Sequence, residues 1–500
     1  MLNRRNNIVF GLALLLAGQA FAREEYSRNV DKTVTLGNGQ SVRVEHRMGN
    51  VTLRTHAGRD VVVHATIRVS ASNNADAKRL ADQIQIEVAP AGSALVIRTE
   101  YPKEEHDGFM GFHGLSYLSY SVNLEVSMPD TAPLELRNSF GSVAIEGLKA
   151  NADVTNSHGP LTFRNGRGTQ RLENQFAAVE VTGNAGDVDI RNSNGSVDVS
   201  EVTGMVNVKD RFANVTIANP GRGGTIVNGN GAVQVTGAGG DVHITNSFGK
   251  VTVTGVKGNL TVGNANGEVE ANSVTGSAEL NTSFGAVRFG DIGKVLSVRA
   301  TNSEVVGRKV GESATIENTF GRVDVSEVRK GIRIVGGNSA ITVADVGEEA
   351  SVKTSFGLVT ADRVGGMLTV EDSNGAVNAT GIRNAANVKT SFGAVMLDGV
   401  AGQVDVENQN GGVEVSLQGQ ACRPVGIRTS FSAVRVRVPN NASYAVAAKT
   451  SFGKIHSDFP MTISGDISAD SLNGNIGGGA CPMRLNDNNG SIEILKNGKG

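Results

Sequence analysis

The groups in this 500-residue chain that could do chemistry are few and scattered. Glu180 and Asp198 are two carboxylates eighteen residues apart. If the chain brought them side by side, they could serve as an acid and a base for sugar-bond cleavage, which needs carboxylates gathered on one outer face. A second group is aromatic: Phe109, Phe112, Tyr117 and Tyr120, with His106 and His113 among them, in a Gly-containing stretch from Pro102 to Ser121 that abuts Tyr101. Three of the five tyrosines, Tyr101, Tyr117 and Tyr120, thus fall within twenty residues. Rings with polar tips on a rigid frame suit contact with a glycan or a protein; the same stretch could also fold back as a plug over neighbouring strands. Gly239-Gly240-Asp241 is an isolated echo of calcium-binding repeats and does not recur. The eight histidines are dispersed without zinc-ligand spacing, and neither a phosphate loop nor a dinucleotide fingerprint occurs. No catalytic residue, cofactor or metal site is assigned, and the chain is expected not to be an enzyme.

What must position these groups is a repeat. Phenylalanine recurs at 140, 176, 212, 248, 284, 320, 356 and 392, each 36 residues after the last. Midway lie His158, Asn194, Asn230, Asn266, Asn302, Asn338, Asn374 and Asn410. The unit is therefore an 18-residue coil in alternating Ser-Phe-Gly and Ser-Asn-Gly versions. Three residues after each Phe, Asn or His comes an aliphatic residue, from Val143 through Val251, Val269 and Val287 to Val413, with no polar interruption. A second such column runs from Val154 through Ile244 and Val262 to Val406. Period-two patterning, β-branched residues and Gly/Asn punctuation indicate strands and turns. A single coil of this kind has one apolar face and nothing to bury it against, so it must stack on the next.

The fold class that follows is all-β: a parallel β-solenoid (β-helix) of 18-residue coils, a 36-residue double repeat, with an N-terminal capping region that holds one helix. Asn138, Asn156, Asn174, Asn192, Asn228, Asn246 and Asn264 form a further column, expected to be a buried amide ladder at the corner. Gly141, Gly195, Gly249, Gly285, Gly357 and Gly393 are expected to take φ > 0 at that corner. The phenylalanines are expected in the core, alternating with Asn or His to avoid crowding at the ~4.8 Å spacing of stacked strands.

Along the chain, residues 1–22 read as a secretory signal: Arg4 and Arg5, the apolar run Ile8–Ala17, and Ala20-Phe21-Ala22 before a mature start at Arg23. No later segment is apolar enough to be transmembrane, and the chain is not expected to be an integral membrane protein. Residues 23–130 form the capping region, with Val42–Glu45, Val51–Thr55 and Val61–Val69 as early coil strands and Asn74–Gln85 as the helix. Residues 131–415 are the regular solenoid, and 416–500 are longer coils and a cap. Net charge is −2, which gives no electrostatic reason to bind nucleic acid. Cys422 and Cys481, 59 residues apart, would lie ~14 Å from each other if three coils stacked in order. That is beyond disulfide reach, so pairing requires irregular loops near the C-terminus.

The export signal, the early strands followed by a helix, and the run of (Asn/Thr)-Ser-Phe-Gly-x-Val and Ser-Asn-Gly-x-Val coils together resemble the bacterial putative-adhesin family of β-strand repeats, a domain of unknown function. The resemblance implies an exported β-solenoid at the bacterial envelope, in the periplasm, on the outer surface or secreted, with an envelope or surface protein or glycan as partner. It supplies no catalytic residues. A polysaccharide-active β-helix and an envelope component without ligand are the alternative functions.

Overall fold

The computed structural model describes residues 24–102, 119–419, 422–464, 468 and 470–498. Residues 1–22, read as a signal, and Phe109, Phe112 and Tyr117 lie outside the described residues. The chain divides into two compact units, with the boundary between Val143 and Ala144.

In the second unit the coils as far as Val438 each contribute one strand to each of two parallel sheets, whereas near the C-terminus Ser471–Ile476 pairs antiparallel with Tyr444–Lys449 and Met461–Ile463. Val251, Val269 and Val287 stand in register on successive strands, and each is fully buried. The second aliphatic column behaves likewise: Ile244 pairs with Val262, and Val262 with Leu280. Equivalent residues thus stack into continuous apolar files between the sheets, and their burial drives the association of coils. Two phenylalanines, Phe163 and Phe289, are in this core, and neither belongs to the 36-residue series. Each has a glycine beside it, because a Cβ on Gly166 would lie 2.3 Å from the Phe163 ring and one on Gly307 2.4 Å from Phe289.

A feature with no counterpart in the expectations is a left-handed column. Fifteen residues at 18-residue intervals, from Gly147 through Asp291, Lys309 and Arg363 to Gly399, have φ between 53° and 80°. Nine of them are not glycine, so each stores backbone strain of about 1 kcal/mol. The bend they make turns the next residue inward, which creates a third apolar file including Val256, Val274, Ile292 and Val310.

The first unit departs from simple stacking. Ser41–Glu45 and Val51–His56 are the expected early strands, and Ser41–Glu45 pairs in parallel with both Ala94–Glu100 and Leu134–Arg137. Val61–Val69 is not a coil strand. It belongs to the twelve-residue strand Asp60–Ala71, antiparallel to both Glu24–Thr35 and Ser119–Pro129. No Gly or Asn interrupts its alternation, so nothing bends it where a coil would turn. The helix spans Asn74–Gln83, with the Asn73 side chain capping Asp76 N at 2.9 Å, and buries Ala77 and Ala81. It packs on the antiparallel strands Glu24–Thr35 and Asp60–Ala71.

At the C-terminal end of the second unit the spatial order of coils differs from the chain order. Cys481–Asn486 pairs in parallel with Val425–Arg428 on one side and Tyr444–Lys449 on the other. On the opposite sheet Ile492–Lys496 lies between Val434–Val438 and Ile455–Ser457. The last coil is therefore inserted between two earlier ones. This overturns the expected separation of Cys422 and Cys481: they form a disulfide with Cα atoms 5.8 Å apart. Sequence distance converts to coil distance only where coils stack in order, and here they do not.

Candidate interaction surface

The corner that joins the two sheets is built around its inner amide. Asn174 Nδ2 donates to the carbonyls of Ala177, 2.9 Å away in its own turn, and Gly159, 3.1 Å away in the preceding coil. Asn408 does the same with Gly411 at 3.0 Å and Gly393 at 2.7 Å. The ladder expected from the sequence is thus present, running through backbone carbonyls more than from amide to amide. Outside it, the glycines let neighbouring turns touch. A Cβ on Gly249 would lie 2.3 Å from the Gly231 carbonyl oxygen, and one on Gly393 1.9 Å from that of Gly375. Gly141, Gly249, Gly285 and Gly357 have φ of 114–134° as expected, whereas Gly195 and Gly393 do not. Close approach of the adjacent backbone is the more general reason for glycine here.

Three members of the inner column are acidic: Asp210, Asp372 and Asp487, each buried and accepting a backbone N–H three or two residues on. Burial raises the pKa of all three. The folded state holds those protons more tightly than the unfolded chain. The stabilising contribution is therefore full below the ordinary Asp value of about 3.9 and is lost as pH rises through the raised folded value. Asp210→Asn and Asp372→Asn, which restore the amide used elsewhere in the column, are expected to add about 1 kcal/mol each at neutral pH. Urea unfolding should show that gain disappearing in acid.

With the amide filling the inside of the corner, no room remains there for a ring. The repeated phenylalanines point outward: Phe176, Phe212, Phe248, Phe284, Phe320, Phe356 and Phe392 are 46–61% exposed. The expected burial of this column is therefore wrong. Register places each ring between the counterpart residues of the coils on either side, as Phe248 between Asn230 and Asn266. Several of these Asn side chains are tied down: Nδ2 of Asn194, Asn230, Asn374 and Asn410 donates to a carbonyl of the preceding coil at 3.2–3.5 Å. His158 stacks on Phe176 with ring centroids 4.6 Å apart. The corner is an outer ladder that alternates ring and amide, with rings about 9.6 Å apart at two strand spacings.

The inserted last coil keeps this alternation. Phe431 and Phe452 are consecutive in sequence and would place two rings on adjacent coils. Instead Asn488-Asn489-Gly490 lies between them: Phe452 N donates to Asn488 O at 3.0 Å, and Asn488 Nδ2 reaches Ser430 Oγ at 3.4 Å. The order in space is again ring, amide, ring. Both phenylalanines are exposed.

The first unit has a corner of similar chemistry. His46 and Asn138 are its buried column, while Met48 and Phe140 form a bridge outside it. Tyr101, half-buried, accepts a hydrogen bond from Met48 N at 2.9 Å and lies 3.3 Å from His46 Nδ1. Burial lowers the His46 pKa to about 4, so the ring is neutral at ordinary pH. Tyr101 and Tyr120 flank the undescribed stretch and pack with centroids 5.6 Å apart.

Glu180 and Asp198 do stand in register on neighbouring strands. Glu180 is engaged by Arg164 at 2.7 Å, and Asp198 accepts from Ser196 Oγ at 3.1 Å. Glu180 thus sits in a solvated ion pair and Asp198 in a local hydrogen bond. Among the described residues, no cluster of three or more His, Cys, Asp or Glu is placed to hold a metal ion, and no helix is long and apolar enough to cross a membrane.

Residues 312–495 match the model of the family described as Toastrack DUF4097. No curated protein matches the chain. Among solved structures, a putative cell adhesion protein from Clostridium sporogenes is 7% identical, with 95% of this chain and 100% of that chain covered at a TM-score of 0.14. A putative adhesin from Parabacteroides distasonis is 11% identical, with 76% and 97% covered and a TM-score of 0.14. The matched stretch contains Thr-Phe-Gly-Arg-Val from Thr319, Ser-Phe-Gly-Leu-Val from Ser355 and Ser-Phe-Gly-Ala-Val from Ser391, turns of the outer ladder described above. The match of residues 312–495 to the Toastrack DUF4097 family, a family of unknown function, bears out the resemblance carried by the Ser-Phe-Gly and Ser-Asn-Gly coils.

Proposed function

We propose that the protein is an exported, non-enzymatic β-solenoid that offers a long, regular side to other molecules of the bacterial envelope, in the manner of an adhesin. The observation that carries this is the outer ring-and-amide ladder. Residues outside the core are otherwise free to vary, and the position after the first aliphatic column does so: Glu180, Asp198, Thr216, Gln234. The Phe position does not vary, although nothing in the core requires it. Export rests on the Arg4–Ala22 signal pattern, and the disulfide suits an oxidising compartment.

The stretch between Tyr101 and Tyr120, with Phe109, Phe112 and Tyr117, is a second contact region in this proposal. Its two ends are held together by the packed tyrosine rings. The test is retention on washed cell envelopes of three proteins: the mature chain, a deletion of residues 103–118, and the triple variant Phe248→Ser, Phe284→Ser, Phe320→Ser. At least a tenfold loss in the triple variant, with its urea midpoint unchanged, is expected. Equal retention of all three proteins would defeat the proposal.

A further inference from the structure

We infer that the ladder's partner is a second copy of this chain, packed antiparallel so that the rings of each corner enter the amide gaps of the other. This rests on the preceding reading of the ladder as a contact surface and goes further by naming what covers it.

Three observations carry it. The first is area. A phenylalanine buries roughly 150–250 Å² when covered. Nine rings in the second unit, seven of them 46–61% exposed with Phe431 at 53% and Phe452 at 81%, leave on the order of 900 Å² of ring surface uncovered along one corner. The rings are separated by amides and do not form one continuous patch, but their summed area is comparable with the about 800 Å² per partner that a standard interface buries. The second is period. Two copies share the same ~9.6 Å ring spacing by construction, so they remain in step along the whole ladder, which a partner of different repeat would not. Interdigitation would set rings from the two chains alternately ~4.8 Å apart, within the range of about 4.5–7 Å between centroids that aromatic pairs favour. The third is the inserted C-terminal coil. It restores an amide between Phe431 and Phe452, where chain order alone would have put rings on neighbouring coils and closed the gap.

Symmetry then fixes the arrangement. Equivalent pairing of one patch with itself requires a two-fold axis. An axis running along the solenoids would set ring against ring at equal height, so interdigitation requires the axis to cross them, and therefore antiparallel solenoids. With the axis between a ring coil and an amide coil, every ring faces an amide. Of the amides entering the contact, Asn194, Asn230, Asn374 and Asn410 already donate to their own backbone, so covering these four does not strand their Nδ2 groups.

The experiment is sedimentation equilibrium of the mature chain and two variants. The first replaces Phe248, Phe284 and Phe320 by Ser. The second fills the gaps with Asn266→Phe and Asn302→Phe, adding apolar surface while blocking interdigitation. A dimer is expected for the native chain, with the dissociation constant raised at least tenfold in both variants and far-UV circular dichroism unchanged. A native chain that is monomeric at about 100 μM, a dimer that survives the serine substitutions, or one tightened by the added phenylalanines would each overturn self-pairing. A monomeric native chain whose serine variant still loses envelope retention would overturn self-pairing alone; if retention were also unaffected, the contact-surface reading would fail with it.

Discussion

Gly249→Ala is expected to cost about 3 kcal/mol or more, a large effect for one methyl group on the surface of a repeat. Two terms add. Gly249 has φ of +114°, where an L side chain is strained. The new Cβ would also lie 2.3 Å from the carbonyl oxygen of Gly231 and 2.6 Å from its carbon, which are backbone atoms of the adjacent coil and have no rotamer to escape into. Relief requires separating two coils at the corner, and with them the Val233–Val251 contact. Gly263→Ala is the control. Its Cβ would meet nothing nearer than the Ile244 carbonyl oxygen at 4.0 Å, and the change should stay within about 0.5 kcal/mol. Urea unfolding of the two variants side by side, with hydrogen exchange to locate the opened coils, checks both. Equal stability would mean that coil spacing at the corner is soft.

Reducing the Cys422–Cys481 bridge should have the other large effect, confined to one end. The bridge closes a 59-residue separation, for which chain entropy gives about 4 kcal/mol. The loop it closes holds the coil of Tyr444–Lys449 and Ile455–Ser457, whose parallel neighbours are Cys481–Asn486 and Ile492–Lys496. In a stacked repeat each coil is held chiefly by its neighbours, so loss at this end need not propagate. Under reductant, amide protection should collapse over 425–496 while Val251–Val256 and its neighbours keep theirs. Uniform loss over the whole chain, or none, would contradict this assignment.

The parts of the fold that followed from simple rules were legible in the sequence. The valine files were readable because burial admits no polar residue and the 18-residue period locates each member. The Asn column was readable as a buried amide because only a turn needs that residue repeatedly. The phenylalanines were misplaced because hydrophobicity was equated with burial. Their signal was present in the alternation itself: Asn and Phe do not exchange in a core, yet they trade places here every eighteen residues. The left-handed column was invisible, since Gly, Asn, Asp, Glu, Lys, Ser and Arg all occupy it and no composition marks it. Tyr101 and Tyr120 were found as neighbours of the aromatic stretch, whereas the Met48 and His46 contacts of Tyr101 depend on pairing between distant strands.

The insertion of the last coil has a consequence for how the protein is made. A chain emerging residue by residue can add coils in order as far as Val438. Beyond that point Tyr444–Ser457 leaves the ribosome, or the export channel, before the strands on which its parallel pairing depends exist. That segment must wait unpaired on its parallel side until residues 481–496 arrive and slide in beside it. Synthesis and assembly run together along the repeat and part company at its end, where a pause in translation or secretion would leave open strand edges exposed.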